Sequence, residues 1–479
     1  MKTVFVSGSF NVLHPGHLRL LRFAREVGDR LVVAVKSDIL AGEGAYVHEH
    51  LRLEGVQSIA WVDEAFIFNE PLNDLIERLR PDAIVKGKEH ELRINSELIA
   101  LEKYGGTLIF SSGETIFSSL DLIRKEFQEL DSQSISLPNE YMQRHQVTPE
   151  RLAELLQKFS RLKLCIIGDL IVDEFITCEP LGMSQEDPTI VVTPIDSVRF
   201  VGGAGIVAVH AAGLGAEVHF FSIAGNDITR DYASKELVTL GVNAQLLVDE
   251  SRPTTLKQRY RCKGKSLLRV SHLHQTTISA VFQKKLLHAI EAVFENVDLL
   301  VFSDFNYGCL PQSLVDKLIA LAKKQGVLLA ADSQSSSQLG DISRFRDMDL
   351  ITPTEFEARI STRNREDGLV VLAEQLRQQA AAQNILLKLG EEGLLIHATN
   401  NGEVQQTDPW LTDRINALNS AAKDVAGAGD SLLITSAMAL ACGGSIWEAS
   451  CLGSIAAAIQ VARVGNTQLC TQELLRELS

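Results

Sequence analysis

The chain has 479 residues, of which 45% are hydrophobic and 22% charged, a composition typical of a soluble globular protein. At roughly 100–200 residues per domain, this length predicts two to four domains. The 61 acidic residues outnumber the 46 lysines and arginines and give a net charge of −15. Such a chain lacks the broad positive field that nonspecific nucleic-acid binding requires, whereas small phosphates can still be bound by local donors.

Seven scattered cysteines without a CxxC pair indicate reduced thiols in a cytoplasmic protein. The N-terminal residues do not follow the pattern of a signal peptide. No uncharged apolar run approaches the ~20 residues of a membrane span. We therefore expect a cytoplasmic protein with neither a membrane nor a nucleic acid as its partner.

Residues 1–127 alternate apolar runs with segments of helical periodicity, which is typical of a parallel sheet in an α/β domain. The predicted strands are 3–7, 30–35, 65–68, 83–85 and 107–110, and the predicted helices are 16–27, 49–60, 72–79 and 97–104. Residues 128–147 are polar, contain Pro138 and show no sustained periodicity. This segment is predicted to be a linker between two domains.

Residues 148–479 carry a second α/β pattern, which opens with a helix capped by Thr148. The predicted strands are 163–167, 218–223, 299–302, 327–331, 350–352, 385–389 and 394–397. Two further stretches, 189–200 and 254–271, are rich in β-type residues that alternate with polar ones. They are predicted to form a small sheet outside the main parallel sheet.

The sequence GSFNVLHPGH occupies residues 8–17, where the first predicted strand meets the first helix. The free amides and the dipole of a helix N-terminus attract phosphate. His14 and His17 lie three residues apart on the first turn and can both face that anion, and Gly16 permits close backbone approach. Imidazole donors there would stabilise charge on an α-phosphate under attack. The alternative is a pair of surface histidines in a capping turn.

This motif resembles the HxGH signature of the cytidylyltransferase-like nucleotidyltransferases, and the similarity extends over residues 1–125. The resemblance implies a Rossmann-like fold, attack on ATP or CTP, release of pyrophosphate, and catalytic roles for His14 and His17. Asn11 departs from the family pattern because it stands where an aspartate is usual. The nucleotide- and phosphate-binding residues that the resemblance implies are Gly8, Ser9, Phe10, Asn11, Gly16, Lys86, Ser118, Ser119 and Arg124.

A second motif, Gly427-Ala428-Gly429-Asp430, stands directly before an apolar run of helical character. Glycines at the start of a helix let backbone N–H groups surround an anion. The Asp430 carboxylate can accept the proton of a substrate hydroxyl as its oxygen attacks a γ-phosphate. The alternative is a capping aspartate after a glycine turn.

This motif closely resembles the signature of the ribokinase-like (PfkB-type) carbohydrate kinases, over residues 160–470. The resemblance implies a ribokinase-like α/β domain with a small β lid, ATP as the phosphate donor, and Asp430 as the catalytic base. It also implies Mg²⁺ held through the phosphates, with Glu357 as a further candidate ligand. The implied nucleotide-binding residues are Glu357, Lys388, Gly390, Gly427, Ala428 and Gly429, and the implied sugar-binding residues are Asp169, Asp173, Gly202 and Gly203.

Lys257 and Arg259 lie on the lid-like stretch, where they could bind a phosphate group of the substrate. Exposed strand charges are the alternative interpretation. Among the positions that depart from the family pattern, Ile206 and Thr354 stand where relatives carry asparagines.

Segments 169–173, 184–188 and 202–204 most resemble the heptose-phosphate kinase branch, which is often fused to a nucleotidyltransferase. In those fusions the kinase comes first, whereas here the order is reversed. We therefore expect a bifunctional enzyme that phosphorylates a sugar or sugar phosphate and joins a sugar 1-phosphate to a nucleotide. The alternatives are a domain that has lost catalysis and serves as a binding or regulatory module, or a different activated product. The lid strands of this family often support dimers, so a homodimer is also implied.

Overall fold

The computed structural model describes residues 2–11, 13, 15–42, 45–87, 95, 97–111, 135–184, 187, 189–262, 265–335, 340–399, 410–419 and 421–478. The chain divides into two compact units, Met1–Gln133 and Ser134–Ser479, each of which is described by itself. Of the predicted site residues, His14, Ser118, Ser119 and Arg124 lie outside the described residues. No helix in the described ranges is both long and apolar enough to cross a membrane.

The first unit contains a five-stranded parallel sheet. Its strands are Thr3–Gly8 (β1), Arg30–Lys36 (β2), Glu64–Phe68 (β3), Ala83–Gly87 (β4) and Thr107–Ser111 (β5). Its helices are Pro15–Val27 (α1), Asp38–Ala41 (α2), Glu49–Gln57 (α3), Leu72–Leu79 (α4) and Glu97–Glu102 (α5). The strand order is β3-β2-β1-β4-β5. Successive residues Val33 and Ala34 pack into different apolar clusters, one on each face, which explains the uninterrupted apolar run of β2.

The second unit contains a nine-stranded sheet and a separate four-stranded sheet. Its strands are Lys163–Gly168 (β6), Leu170–Met183 (β7), Ile190–Gly203 (β8), Glu217–Ala224 (β9), Asn243–Val248 (β10), Thr255–Cys262 (β11), Lys265–His272 (β12), Leu299–Asp304 (β13), Leu328–Ser333 (β14), Leu350–Ile351 (β15), Asn384–Lys388 (β16), Leu394–Thr399 (β17) and Trp410–Ile415 (β18). The large sheet has the order β10-β9-β6-β13-β14-β15-β16-β17-β18. It is parallel up to β16, and β17 and β18 are antiparallel to their neighbours.

Helices cover the large sheet and complete the second unit. They are Asn139–Arg144 (α6), Pro149–Lys158 (α7), Ala204–Gly213 (α8), Ile228–Thr239 (α9), Ala280–Glu291 (α10), Gln312–Gln325 (α11), Glu355–Thr362 (α12), Leu369–Ala380 (α13), Ala428–Ala441 (α14), Ile446–Val461 (α15) and Thr471–Glu477 (α16). Short 3₁₀ helices lie at Phe159–Arg161, Phe294–Asn296, Ile342–Arg344 and Gly390–Glu392. Thr148 caps α7 by accepting the N–H of Arg151, as the sequence predicted.

The four-stranded sheet, which we call the lid, has the order β12-β11-β7-β8. It contains both stretches that the sequence placed outside the main sheet. It also contains β7, a 14-residue strand that no periodicity in the sequence indicated. Because β7 begins two residues after β6 ends, the lid directly follows the carboxyl edge of the large sheet along the chain. The α/β fold with a small β lid is therefore confirmed for this unit.

Part of the predicted linker, residues 128–147, folds within the second unit. Helix α6 lies inside this segment, and its Tyr141 and Met142 are buried in the core of the unit. The Tyr141 hydroxyl donates a hydrogen bond to the Trp447 carbonyl oxygen at 3.0 Å. A helix of six residues that buries two side chains is too short to produce a detectable apolar period, and the sequence therefore did not reveal it.

We expect a fragment comprising residues 134–479 to be more stable than one comprising 148–479. The shorter fragment leaves an apolar cavity where Tyr141 and Met142 pack, and loss of each such side chain costs about 2–5 kcal/mol. Urea unfolding of the two fragments measures the difference. Tyr141→Ala in the longer fragment should reproduce part of the loss, and equal unfolding midpoints for the two fragments would contradict the assignment of α6 to this unit.

Candidate functional site

A pocket of about 760 Å³ lies in the second unit, between the lid and the carboxyl edge of the large sheet. Open α/β sheets bind their ligands at this edge. Many residues predicted from separate motifs meet there. The predicted residues that line the pocket are Asp173, Gly203, Lys257, Arg259, Glu357, Lys388, Gly390, Gly427, Ala428, Gly429 and Asp430.

Asp430 lies in the first turn of α14, which follows Gly427 at a left-handed φ of 78°. Its side chain is buried, and its Oδ1 accepts a hydrogen bond from the Gln334 amide at 3.2 Å. Burial, followed by the neighbouring Asp332 carboxylate, raises the pKa of Asp430 to about 7, and Lys388 opposes this rise. A carboxylate with this pKa can accept a proton at neutral pH.

Lys388 ends strand β16. It lies beneath the turn formed by residues 427–429, which we call the glycine turn. Its Nζ is 3.0 Å from both carboxylate oxygens of Asp332. Burial disfavours the ammonium charge, but Asp332, Glu357 and Asp430 outweigh it and raise the pKa of Lys388. A Cβ added to Gly429 would lie 3.2 Å from the Lys388 Nζ. A permanent positive charge thus lies next to the free N–H groups of a helix N-terminus, an arrangement suited to phosphate.

Glu357 takes part in a capping box at the start of α12. Its Oε2 accepts the N–H of Thr354 at 2.7 Å, and the Thr354 hydroxyl accepts the N–H of Glu357 at 3.2 Å. Thr354 therefore provides the capping oxygen that an asparagine would otherwise offer. The other carboxylate oxygen of Glu357 accepts the N–H of Ser335 at 2.9 Å. The Glu357 carboxylate is held in one orientation at the pocket wall.

No group of three or more His, Cys, Asp or Glu side chains among the described residues is arranged to hold a metal ion. Mg²⁺ is commonly bound by one or two carboxylates together with substrate phosphates and waters. Glu357, with free lone pairs on both oxygens, fits such a site at the phosphate side of the pocket.

Asp173 lies on the lid strand β7 and lines the pocket. A Cβ added to Gly202 would lie 2.2 Å from its Oδ2, so a larger residue there would displace the Asp173 carboxylate. Asn466 donates to the same oxygen at 3.3 Å, and Arg259 Nη2 lies 4.0 Å from Oδ1. Burial raises the pKa of Asp173 while Arg259 and Lys257 oppose the rise.

Asp169 does not line the pocket, in contrast to the expectation that it contacts a sugar. Its Oδ2 accepts the N–H groups of Phe305 and Tyr307 at 2.9 and 3.2 Å, and its Oδ1 accepts that of Cys309 at 3.2 Å. Burial and then the Asp304 carboxylate raise its pKa to about 6. Asp169 points across to the loop that follows β13 and fixes it, and Phe305 of that loop lines the pocket.

Three cations of the lid line the pocket, namely Lys257, Arg259 and Arg269. Arg259 and Arg269 are direct cross-strand partners in the β11–β12 pair, and like charges in this position destabilise a sheet. The Lys257 ammonium lies 5.3 and 5.2 Å from the ring centroids of Phe305 and Tyr307. An anion bound in the pocket would relieve the repulsion between these side chains.

In the first unit, the loop after β1 brings Gly8, Phe10 and His17 together. Phe10 has a φ of 50°, which is rare for a bulky residue and indicates local strain. A Cβ added to Gly8 would lie 3.0 Å from the Phe10 ring, and the centroid of that ring is 5.1 Å from the centroid of the His17 ring. Gly16 and His17 belong to the first turn of α1, as predicted. Asn11 is buried and its Oδ1 accepts the N–H of Tyr46 at 3.2 Å.

Arg52 holds this loop in place from α3. Its side chain is buried and donates to the Ser9 carbonyl oxygen at 2.6 Å, the Val47 carbonyl oxygen at 2.7 Å and Asp38 Oδ1 at 2.6 Å. The hydrogen bond from Arg52 lowers the pKa of Asp38. Ser9, predicted to bind nucleotide, is thus positioned through its backbone.

Lys86, predicted to bind phosphate, ends strand β4 in the first unit. Its Nζ donates hydrogen bonds to Asn95 Oδ1 and Glu97 Oε1, both at 2.8 Å. The structure therefore places this ammonium group in an ion pair with Glu97. A phosphate would have to compete with that carboxylate for Lys86.

Among the pocket residues that the sequence did not single out as site residues are three polar ones, Gln334, Arg269 and Asn466. Arg269 could have been found by pairing the two strands of the 254–271 stretch across a hairpin turn. No motif includes Asn466, which meets Asp173 from a position 293 residues away.

Two family models match the chain. The model described as pfkB family carbohydrate kinase matches residues 161–473, which is more than half of the chain. The model described as Cytidylyltransferase-like matches residues 5–103. The first match lies within the second unit and the second match within the first unit.

Similar proteins include two that are named bifunctional protein HldE. The one from Desulfatibacillum aliphaticivorans is 30% identical over 324 residues, which cover 67% of this chain and 64% of that protein. The one from Helicobacter hepaticus is 30% identical over 323 residues, which cover 66% of this chain and 63% of that protein. The chain therefore spans somewhat less than two thirds of the length of these relatives.

Solved structures of carbohydrate kinases share the fold. Phosphofructokinase-2 from Escherichia coli superimposes with a TM-score of 0.54 at 16% identity, over 66% of this chain and 97% of that chain. A ribokinase of Arabidopsis thaliana, complexed with ribose and ATP, superimposes with a TM-score of 0.51 at 18% identity, over 66% and 98%. At these identities the likeness concerns the fold alone.

Proposed function

The chain belongs to the pfkB family of carbohydrate kinases, and from this premise we propose that its second unit transfers the γ-phosphate of ATP to a sugar hydroxyl. One observation carries the proposal. The Asp430 carboxylate, with its pKa raised to about 7, lies in the pocket at the start of α14, beside the N–H groups of the glycine turn. A base and an anion site thus lie next to each other, as phosphoryl transfer requires.

In this mechanism Asp430 accepts the proton of the attacking hydroxyl. The N–H groups of Gly427, Ala428 and Gly429 and the Lys388 ammonium stabilise the charge on the transferring phosphoryl group. Glu357 would help to hold Mg²⁺, which neutralises the ATP phosphates when bound. Asp173 accepts a hydrogen bond from the sugar, and Gly202 and Gly203 let the lid backbone approach it.

The proposed acceptor is a sugar of the heptose class that already carries a phosphate, and its anomeric oxygen attacks the γ-phosphate of ATP, with ADP as the leaving group. The lid cations Lys257, Arg259 and Arg269 supply three positive charges at the sugar side of the pocket. A phosphate group compensates such a cluster through charge-assisted hydrogen bonds. The resemblance of segments 169–173 and 184–188 to heptose-phosphate kinases supports the same substrate class.

For the first unit we propose nucleotidyl transfer from ATP or CTP to a sugar 1-phosphate, with release of pyrophosphate. The cytidylyltransferase-like match and the position of His17 on the first turn of α1 support this activity. His14 would act with His17, and Lys86, Ser118, Ser119 and Arg124 would bind phosphate. The ion pair between Lys86 and Glu97 favours a second candidate for this unit, a module that binds nucleotide without catalysis.

A homodimer is proposed through the outer part of the lid. Apolar side chains are unusually exposed there, with Leu181, Met183, Ile190 and Ile195 each 60–65% accessible. Exposed apolar clusters of this kind mark contact surfaces. A second copy of the chain is the partner that the family resemblance favours.

We expect the kinase rate to follow the ionisation of Asp430. Only the carboxylate can accept a proton, so kcat/KM for the sugar should rise about tenfold per pH unit below pH 7 and level off above it. Asp430→Asn should lower kcat by about 10²–10⁴-fold and remove the pH dependence while retaining ATP binding. Coupled-enzyme detection of ADP across a panel of hexose and heptose phosphates measures both. An Asp430→Asn variant with undiminished ADP release would rule out this base.

We expect Arg259→Gln and Arg269→Gln each to raise KM for a sugar phosphate by about 10–100-fold, because a hydrogen bond to a charged group contributes about 1.5–3 kcal/mol. The same variants should leave KM for the unphosphorylated sugar nearly unchanged. Arg261→Gln is the matched control, since Arg261 lies on the same strand but does not line the pocket. Equal effects on both substrates would contradict a phosphate site on the lid.

We expect His17→Ala to lower the rate of pyrophosphate release by about 10²–10³-fold. Removal of one hydrogen-bond donor to the transition state has an effect of this size in other enzymes. A panel of sugar 1-phosphates with each nucleoside triphosphate, read by a pyrophosphate assay and mass spectrometry, measures it. The exposed His50 of the same unit provides the control variant His50→Ala. Nucleotide binding without pyrophosphate release by the unaltered protein would favour the binding module instead.

A further inference from the structure

Two turns meet behind the glycine turn of the pocket. One turn leads into α14 and contains Asp424 and Ala426, and the other follows α15 and contains Gly465. Asp424 joins them, since its Oδ1 accepts the N–H of Ala426 and its Oδ2 that of Gly465, both at 3.1 Å. This contact satisfies the N–H groups of both turns.

Gln460, on the last turn of α15, makes the complementary contact with the carbonyl groups. Its side chain is completely buried, and its Nε2 donates to the carbonyl oxygens of Gly465 at 3.0 Å and of Ala426 at 3.3 Å. Both neighbours are acceptors, so the amide nitrogen must face them. A Cβ added to Gly427 would lie 3.3 Å from this nitrogen. The Gln460 amide therefore lies directly behind the glycine turn, residues 427–429, which we call the anion turn because of its proposed role.

The Gln460 side chain leaves one of its own polar atoms without a hydrogen bond in the part of the chain that the structure describes. The Gln460 Oε1 is buried and has no hydrogen-bond partner among the described residues. An unpaired buried amide oxygen lowers stability, and an apolar side chain of similar volume would avoid that loss. The amide therefore serves a purpose that packing alone does not explain.

Two carbonyl oxygens that approach the same buried amide group would repel each other without a positive group between them. In proteins this positive group is either a cation or the hydrogen of an N–H donor. In this chain the donor is covalently attached, because the Gln460 NH₂ group bridges the two oxygens. The position of the carbonyl of Ala426 in turn determines where the following N–H groups of the anion turn point.

We propose that Gln460 is a positioning residue for phosphoryl transfer, and that its amide holds the anion turn in place of a monovalent cation. This inference rests on the proposed kinase activity of the second unit. Gln460 does not itself line the pocket and acts through Ala426, which does, and through Gly465. The unaltered protein should therefore work equally well in potassium and in choline salts.

The test compares Gln460→Ala with Gln460→Met. Gln460→Ala removes the donor and opens a space bordered by two carbonyl oxygens, and Gln460→Met removes the donor but fills the space. Both should lower kcat by about 10–100-fold, because a small displacement of the anion turn has an effect of this size. KM for the sugar should change less than kcat, since the lid strands that carry Lys257, Arg259 and Arg269 are not displaced. Ammonium or potassium chloride should restore most of the kcat of Gln460→Ala and none of that of Gln460→Met.

Ile455→Ala is the control for a cavity in the same helix. Ile455 is fully buried and does not line the pocket, so this variant should lose thermal stability but retain kcat and remain indifferent to the cation. A kcat equal to that of the unaltered protein in Gln460→Met, or equal cation responses in Gln460→Ala and Ile455→Ala, would overturn the proposal. A requirement of the unaltered protein for potassium would overturn it as well.

A second readout does not depend on the kinase reaction. Potassium chloride, compared with choline chloride at the same ionic strength, should raise the Tm of Gln460→Ala and leave that of the unaltered protein unchanged. If no sugar is phosphorylated by the unaltered protein, the proposed function fails while this measurement still decides the role of Gln460. Absence of a potassium-dependent rise in Tm for Gln460→Ala would contradict the role assigned to its amide.

Discussion

The second unit depends on one buried cation, the ammonium group of Lys388. Asp332, Glu357 and Asp430 lie around it, and each of these residues is more than nine-tenths inaccessible to solvent. Without this cation, three carboxylates would share a site with little water, and they would either be protonated or destabilise the fold. Lys388 bonds both oxygens of Asp332 and lowers the pKa of Asp430 against the effect of burial. It thereby keeps a buried base ionisable near neutral pH.

The strand order of the large sheet makes this charge cluster possible. Asp332 and Lys388 are 56 residues apart in sequence, but each lies at the carboxyl end of a parallel strand, and such ends meet at one edge. The lid begins at the same edge, directly after β6. The lid carries Lys257, Arg259 and Arg269, and the edge of the sheet carries carboxylates, so the pocket lies between surfaces of opposite charge. A chain with a net charge of −15 can thus still present a positive surface at one side of this pocket.

Residues within short motifs could be predicted from the sequence, because each motif contains both the reactive group and the backbone that positions it. Asp430 and the glycine turn are the clearest example, since the helix after them makes their position inevitable. Asp169 shows the limit of this reasoning, because a motif predicts which residue ends a strand but not which neighbouring loop its carboxylate binds. Arg269 and Asn466 reach the pocket through strand register and through contacts between distant segments, which no local pattern encodes. Helix α6 escaped prediction because its six residues are too few to show a period.

The proposed role of Asp430 as a base conflicts with the stability of the fold. Its pKa rises from an ordinary value of 3.8 to about 7 in the folded protein. Between about pH 4 and pH 7 the unfolded chain therefore releases this proton while the folded chain retains it, and stability falls as the pH rises. This loss of stability reaches its full value above about pH 7, where the Asp430 carboxyl group is ionised in the folded protein. Apolar burial along the same helix offsets it, because Leu433, Ile434 and Met438 are fully buried. The long apolar run after the glycine turn thus offsets the cost of a charged carboxylate at the start of α14.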